Sequence, residues 1–146
     1  MEQGIEEFAG SFLKLFGLER PDLKRYSPLT LAYIGDAVYE LVIRSYTTCA
    51  GNAPAQKLHQ KASSLVNAHT QSEMARALAD HLTPEETDVY KRGRNARSYT
   101  RAKNASMSDY RRATGLEALV GYLYLDGSYD RLVELIHLGL TELSLI

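Results

Sequence analysis

Apolar residues recur at helical spacing along most of the chain and nowhere alternate as they would in a strand. Ile5, Phe8, Phe12, Leu15 and Phe16 form a first stripe, closed by Gly17. That stripe holds all three phenylalanines, which points to a helix that docks on something. Ser27-Pro28 reads as an N-cap followed by proline at the first helical position. It opens a helix with Leu31, Ile34, Val38, Leu41 and Val42 on the buried face. Gly51-Asn52-Ala53-Pro54 breaks the chain again. Leu58, Ala62, Leu65 and Val66 then mark the apolar side of a third helix, with Lys57 and Lys61 on another side. Thr70-x-x-Glu73 reads as a capping box for a helix carrying Met74, Ala77 and Leu78. Thr83-Pro84-Glu85-Glu86 is a second box, starting a short helix that Gly93 is expected to end. Residues 95–107 lack apolar periodicity and read as a long basic loop. Residues 110–125 are helical, Asp126-Gly127 turns, and Ser128 caps a last helix through Leu132, Leu135, Ile136 and Leu140. The pattern predicts one all-α domain of about seven helices.

Composition narrows the class. The chain has 146 residues, 45% apolar and 24% charged, which is globular and not disordered. A solitary Cys49 excludes an intramolecular disulfide, and with four scattered histidines no cysteine-rich zinc site can be built. No apolar run approaches the roughly 18 residues that span a bilayer. The first seven residues are acidic where a secretory leader is basic, so a cytoplasmic protein with no membrane partner is expected. The net charge of −1 suggests no polyanionic ligand, but its distribution does. Between residues 91 and 112 lie eight of the seventeen basic side chains against one acid, Asp109. A basic island on an acidic body focuses field on an anionic ligand.

Two helices carry a carboxylate that an amphipathic pattern does not require. Asp36 and Glu40 are i,i+4 neighbours facing away from the Leu31/Ile34/Val38 stripe. Glu117 sits amid small and apolar residues, one turn from Thr114 and Gly121. An acid in such surroundings usually has a partner or a cation. If the two helices pack side by side, Asp36 and Glu117 can share one Mg²⁺, which needs only one or two carboxylates. Gly35, Ala37, Ala118 and Gly121 would allow the close approach. Spacing alone favours the plainer reading that both acids face solvent, because isolated helical acids are common on surfaces. Lys91, Arg92, Arg94, Asn95 and Arg97 surround Gly93 with groups that contact phosphates or base edges, or else form a solvated loop. Lys57 and Lys61 either extend that surface or keep a helix soluble. The histidines show no ligand spacing, and Cys49 has no evident base partner.

Tyr33-Ile34-Gly35-Asp36-Ala37-Val38, together with the segment from Glu117 to Asp126, resembles the ribonuclease III endonuclease domain. Lys91-Arg92-Gly93-Arg94-Asn95-Ala96 and the segment from Leu29 to Asp36 resemble its Mini-III branch, which lacks a separate double-stranded-RNA-binding domain. The likeness spans residues 27–140, and the chain length agrees with it. Residues 1–26 then form an N-terminal amphipathic helix and linker, and residues 27–146 the catalytic domain. The resemblance implies that Asp36 and Glu117 bind the catalytic metal, Mg²⁺. It implies a homodimer, with Tyr33 plugging into the partner subunit, and a supporting role for Glu73, whose capping box already accounts for it; Thr114 and Glu40, beside the pair, are further supporting candidates. Ala32, Leu29 and Thr114 stand where larger members of the family carry further acids, so the acidic cluster is reduced.

The expected activity is Mg²⁺-dependent cleavage of double-stranded RNA leaving a 5′-phosphate and a 3′-hydroxyl. The resemblance further implies a role in maturing the large-subunit (23S) ribosomal RNA precursor. Lys57, Lys61, Lys91, Arg92, Arg94, Asn95 and Arg97 are the candidate RNA contacts. Two rivals stand beside it: a non-catalytic RNA-binding module on the same fold, and a helical interaction domain using the Phe8/Phe12/Phe16 stripe.

Overall fold

The computed structural model describes residues 5–97 and 106–146. These form seven helices: α1 (Ile5–Phe16), α2 (Pro28–Ala50), α3 (Ala55–Val66), α4 (Ala68–Leu78), α5 (Pro84–Asn95), α6 (Met107–Asp126) and α7 (Tyr129–Glu142). Single 3₁₀ turns lie at Leu23–Arg25 and Ala79–His81, and there is no strand among the described residues. The all-α expectation holds.

Several helix boundaries fall where the sequence signals place them. Ser27 Oγ accepts the Thr30 N–H at 3.1 Å, with Pro28 at the first position of α2. Both halves of the Thr83/Glu86 capping box form, at 3.1 and 2.9 Å. Each such cap contributes about 1 kcal/mol. Gly127, at φ 81°, closes α6 in the left-handed conformation.

Other boundaries move for identifiable reasons. The Thr70/Glu73 box does not form, because Asn67 opens α4 three residues earlier. Asn67 Oδ1 accepts the Thr70 N–H at 2.9 Å, while its amide donates to the Ser63 and Ser64 carbonyls. One side chain thus ends α3 and starts α4, and Glu73 loses its capping role. Nor does Gly93 end α5, which continues to Asn95. Gly93 is buried, and a Cβ there would lie 2.7 Å from the Ala118 Cβ and 3.0 Å from the Gly115 Cα. Its missing side chain serves packing, and the basic run Lys91–Asn95 is therefore helical and not loop. Ser106 caps α6 from the other side through the Asp109 N–H, at 3.0 Å. Arg101 and Lys103 of the expected loop lie outside the described residues. Ser128 precedes α7 without capping it, since its hydroxyl donates to Asp126 Oδ2 at 2.7 Å.

The buried face of α2 also differs from expectation. It is Leu31, Ala32, Gly35, Val38, Tyr39, Ile43 and Thr47, whereas Leu41 is 58% exposed and Ile34 and Val42 are only half-buried. Apolar residues occur on two sides of this helix, and the neighbours decide which side is core. The buried Tyr39 hydroxyl donates to the Leu65 carbonyl at 2.6 Å, tying α2 to the end of α3. In α1, Phe8, Phe12, Leu15 and Phe16 are exposed, with the Phe12 and Phe16 rings stacked at 4.4 Å.

Helix α6 is the centre, packed against α2, α4, α5 and α7. Its approach to α2 is backbone to backbone. A Cβ on Gly35 would overlap the Glu117 carbonyl oxygen and lie 2.8 Å from the Gly121 nitrogen. A Cβ on Gly121 would overlap the Leu31 carbonyl oxygen and lie 3.1 Å from the Gly35 nitrogen. Arg131 ties α7 to α5, its guanidinium forking onto both Glu86 carboxylate oxygens at 2.9 Å and onto the His81 carbonyl at 2.8 Å. That fork holds the Glu86 carboxyl below the usual carboxylate range.

The close contact predicts an asymmetric response to one methyl group. Gly121→Ala should lower stability by about 3 kcal/mol, since backbone cannot yield to an added Cβ as a side chain can. Gly10→Ala, on the open face of α1 with nothing within 4 Å, should be neutral or gain up to about 1 kcal/mol. Thermal melts followed by far-ultraviolet circular dichroism of both variants check this.

Candidate active site

Asp36 follows Gly35 on α2, and Glu117 lies one turn before Gly121 on α6. The glycine contact therefore decides where both carboxylates stand. They face each other within hydrogen-bonding reach, Asp36 at the exposed edge and Glu117 half-buried. Burial, and then the hydrogen bond and charge of Asp36, push the Glu117 carboxyl up to about 8. Gln71 of α4 opposes them by hydrogen bonding to the same carboxyl. Two facing carboxylates on close backbones make a donor set suited to a hard divalent ion, and such an ion would offset their repulsion. Mg²⁺ fits this pair. Of the small residues expected to permit the approach, Gly35, Ala118 and Gly121 are buried in it, while Ala37 is exposed.

The remaining acids stand outside the pair. Among the described residues no group of three or more acidic, histidine or cysteine side chains could hold an ion. Glu40 is engaged by Arg44, which donates from Nε at 3.2 Å and Nη2 at 2.7 Å. Glu73 is half-buried on α4 and makes no ion pair among the described residues. Thr114 is buried, with its hydroxyl donating to the Tyr110 carbonyl at 3.0 Å, and Ala32 packs with Leu31, Val89 and Ala118. Neither position offers the pair a third ligand. Sequence reasoning missed Gln71, which is 3% exposed. The signal was present: it stands at i, i+3, i+4 and i+7 spacing with Met74, Ala75 and Leu78, a polar residue on a core stripe.

The basic residues sit on two helices, each packed on α2. Lys57 and Lys61 are exposed on α3, and Lys91, Arg92 and Asn95 are exposed at the C-terminal end of α5, followed by Arg97. Arg92 donates to the Tyr26 carbonyl at 3.4 Å. Arg94 lies 5.8 Å from the Tyr90 ring centre and donates to Asn95 Oδ1 at 3.2 Å. Tyr33 projects from α2 at 82% exposed, in one stripe with the exposed Leu29 and Leu41.

Fold, site and comparison define the class. Residues 29–128 match the ribonuclease III domain, and the chain belongs to the ribonuclease III family. Mini-ribonuclease 3 of Clostridium tetani is 49% identical over 120 residues, covering 82% of this chain and 80% of that protein. The Mini-ribonuclease 3 of Enterococcus faecalis is 47% identical over 118 residues, or 80% and 89% of the two chains. The crystal structure of a Fusobacterium nucleatum protein superposes with a TM-score of 0.74 at 29% identity, over 83% of this chain and 97% of that one. Within the family the chain falls in the Mini-III branch, and it is an endoribonuclease. These relatives favour the enzyme over the non-catalytic module and the interaction domain.

The raised Glu117 carboxyl has a consequence for stability. Its folded-state pKa exceeds the unfolded value, so ionising it costs stability increasingly as pH rises from about 4.5 to about 8. In EDTA at pH 7, Glu117→Gln should therefore melt higher than wild type. The gain should vanish near pH 4, where both states hold the proton. Melting curves across pH check it.

Proposed function

We propose that this chain is a Mg²⁺-dependent endoribonuclease that cuts double-stranded RNA as a homodimer, leaving a 5′-phosphate and a 3′-hydroxyl. The observation that carries the reading is the Asp36–Glu117 pair, set face to face by the α2–α6 glycine contact. Asp36 and Glu117 hold the ion, with Gln71 bonded to the inner carboxylate. When bound, Mg²⁺ lowers the pKa of a water and offsets charge on the scissile phosphate. Lys57, Lys61, Lys91, Arg92, Arg94, Asn95 and Arg97 hold the duplex through phosphates and 2′-hydroxyls across its shallow minor groove. The Arg94 side chain, braced by Tyr90 and Asn95, arrives with less freedom to lose. Tyr33, Leu29 and Leu41 form the dimer face, which accounts for large apolar side chains left in water on α2. Two sites in such a dimer would cut the two strands at staggered positions. The large-subunit (23S) ribosomal RNA precursor is the proposed substrate, and the cytoplasm the proposed compartment.

The decisive comparison is cleavage of a long RNA duplex with Mg²⁺ by wild type, Asp36→Asn and Glu117→Gln, with binding measured in parallel. Both variants should bind the duplex and lose at least roughly a hundredfold in cleavage rate. The same binding run from 50 to 200 mM salt should weaken by roughly tenfold or more, because phosphate contacts dominate. Equal cutting by all three proteins would remove the pair from the chemistry, and salt-independent binding would remove the basic surface. Tyr33→Asp should shift the sedimenting species from dimer to monomer; a dimer unchanged in that variant would place the interface elsewhere.

A further inference from the structure

Helix α4 presents a core stripe of Met74, Ala75 and Leu78 to the rest of the molecule, and all three are buried. The fourth position of that stripe is Gln71, as buried as the others and polar. A buried side-chain amide is retained at a leucine-like position only if its polar atoms find partners. The Glu117 carboxyl is the group it meets across the α4–α6 interface, where Gln71 counters the effect of burial on that acid.

The turn that carries Gln71 is fixed against α6 by its neighbours as well. His69 Nδ1 lies 3.2 Å from Asp109 Oδ2. Arg112 Nη1 donates to the Ser72 hydroxyl at 3.4 Å, and Ser72 is wholly buried. Ser72 and His69 both engage the Asp109 carboxylate. Residues 69, 71 and 72 of α4 therefore grip α6 at 109, 112 and 117, which sets the register of the amide against the Glu117 carboxyl.

We infer that Gln71 is a positioning residue: its side-chain amide N–H donates to the Glu117 carboxylate and fixes the rotamer in which Glu117 and Asp36 present their oxygens to one cation. This rests on reading Asp36 and Glu117 as a metal pair. An outer group of this kind orients a ligand without touching the ion, and removing one typically lowers metal affinity by 10–100-fold. Gln71→Leu completes the apolar stripe, and Gln71→Met keeps the unbranched shape, so at least one should fold with wild-type helicity.

The test is direct titration with Mn²⁺, followed by the electron paramagnetic resonance signal of the free ion, alongside cleavage measured against Mg²⁺ concentration. In Gln71→Leu or Gln71→Met, whichever retains wild-type circular dichroism, Mn²⁺ affinity should fall by about tenfold. The Mg²⁺ concentration for half-maximal cleavage should rise by a similar factor, while duplex binding in EDTA stays at the wild-type value. Wild-type Mn²⁺ affinity in a folded Gln71 variant, with affinity lost in Asp36→Asn, would overturn the positioning role and leave the metal pair standing. Equal Mn²⁺ binding by wild type, Asp36→Asn and Glu117→Gln would overturn the pair itself, and this inference with it.

Discussion

The site depends on one steric fact: α2 and α6 touch through Gly35 and Gly121. Neither helix could come so close with a side chain at those positions, because the space a Cβ would fill holds the other helix's peptide groups. Asp36 and Glu117 are fixed to those glycines by helical geometry, one residue after Gly35 and one turn before Gly121. Closing the backbone contact brings the two acids side by side. A shift of either helix by one residue would rotate an acid away by about 100°.

Burying an acid and setting a second one against it is unfavourable, and Glu117 records both, burial first, in its raised pKa. The surrounding structure supports that arrangement. Capped helix starts at Ser27, Thr83 and Ser106, the Arg131 fork onto Glu86, and the leucine-rich faces of α6 and α7 hold the helices in place around the pair. An electrostatically unfavourable pair is thus offset by ordinary packing elsewhere.

Of the three positions where the resemblance implies further acids in larger members of the family, Ala32 and Thr114 are absorbed into this packing, while Leu29 is exposed. Ala32 fits against Val89 and Ala118, and the Thr114 hydroxyl turns back to its own helix. A glutamate at 32 would have to displace core side chains. The lean acidic set is thus built into the interior, and the supporting polar contact comes from another helix, through Gln71.

The helices themselves were legible in the sequence, because caps, prolines and 3.6-residue periodicity act within a few residues of chain. Asp36 and Glu117 stand out as acids among small and apolar residues, but spacing alone favours solvent for both, and it is the family resemblance that singles them out. What local signals could not decide was which of two adequate local solutions the tertiary contacts select. Asn67 outcompeted Thr70 as the cap because it serves two helices at once. Gly93 reads as a helix stop, yet its bare backbone is used to admit Ala118 and Gly115. Leu41 and Tyr39 lie on different sides of α2, and packing against α3 and α4 buries Tyr39 while Leu41 stays exposed. Gln71 is marked in sequence only by its place on the Met74/Ala75/Leu78 stripe, and it is the packing of α4 on α6 that turns it inward. The all-α class and most helix starts follow from nearest-neighbour chemistry, readable along the chain. Tertiary structure alone decided that the acids meet and what holds them, because contact between α2, α4 and α6 joins residues dozens of positions apart.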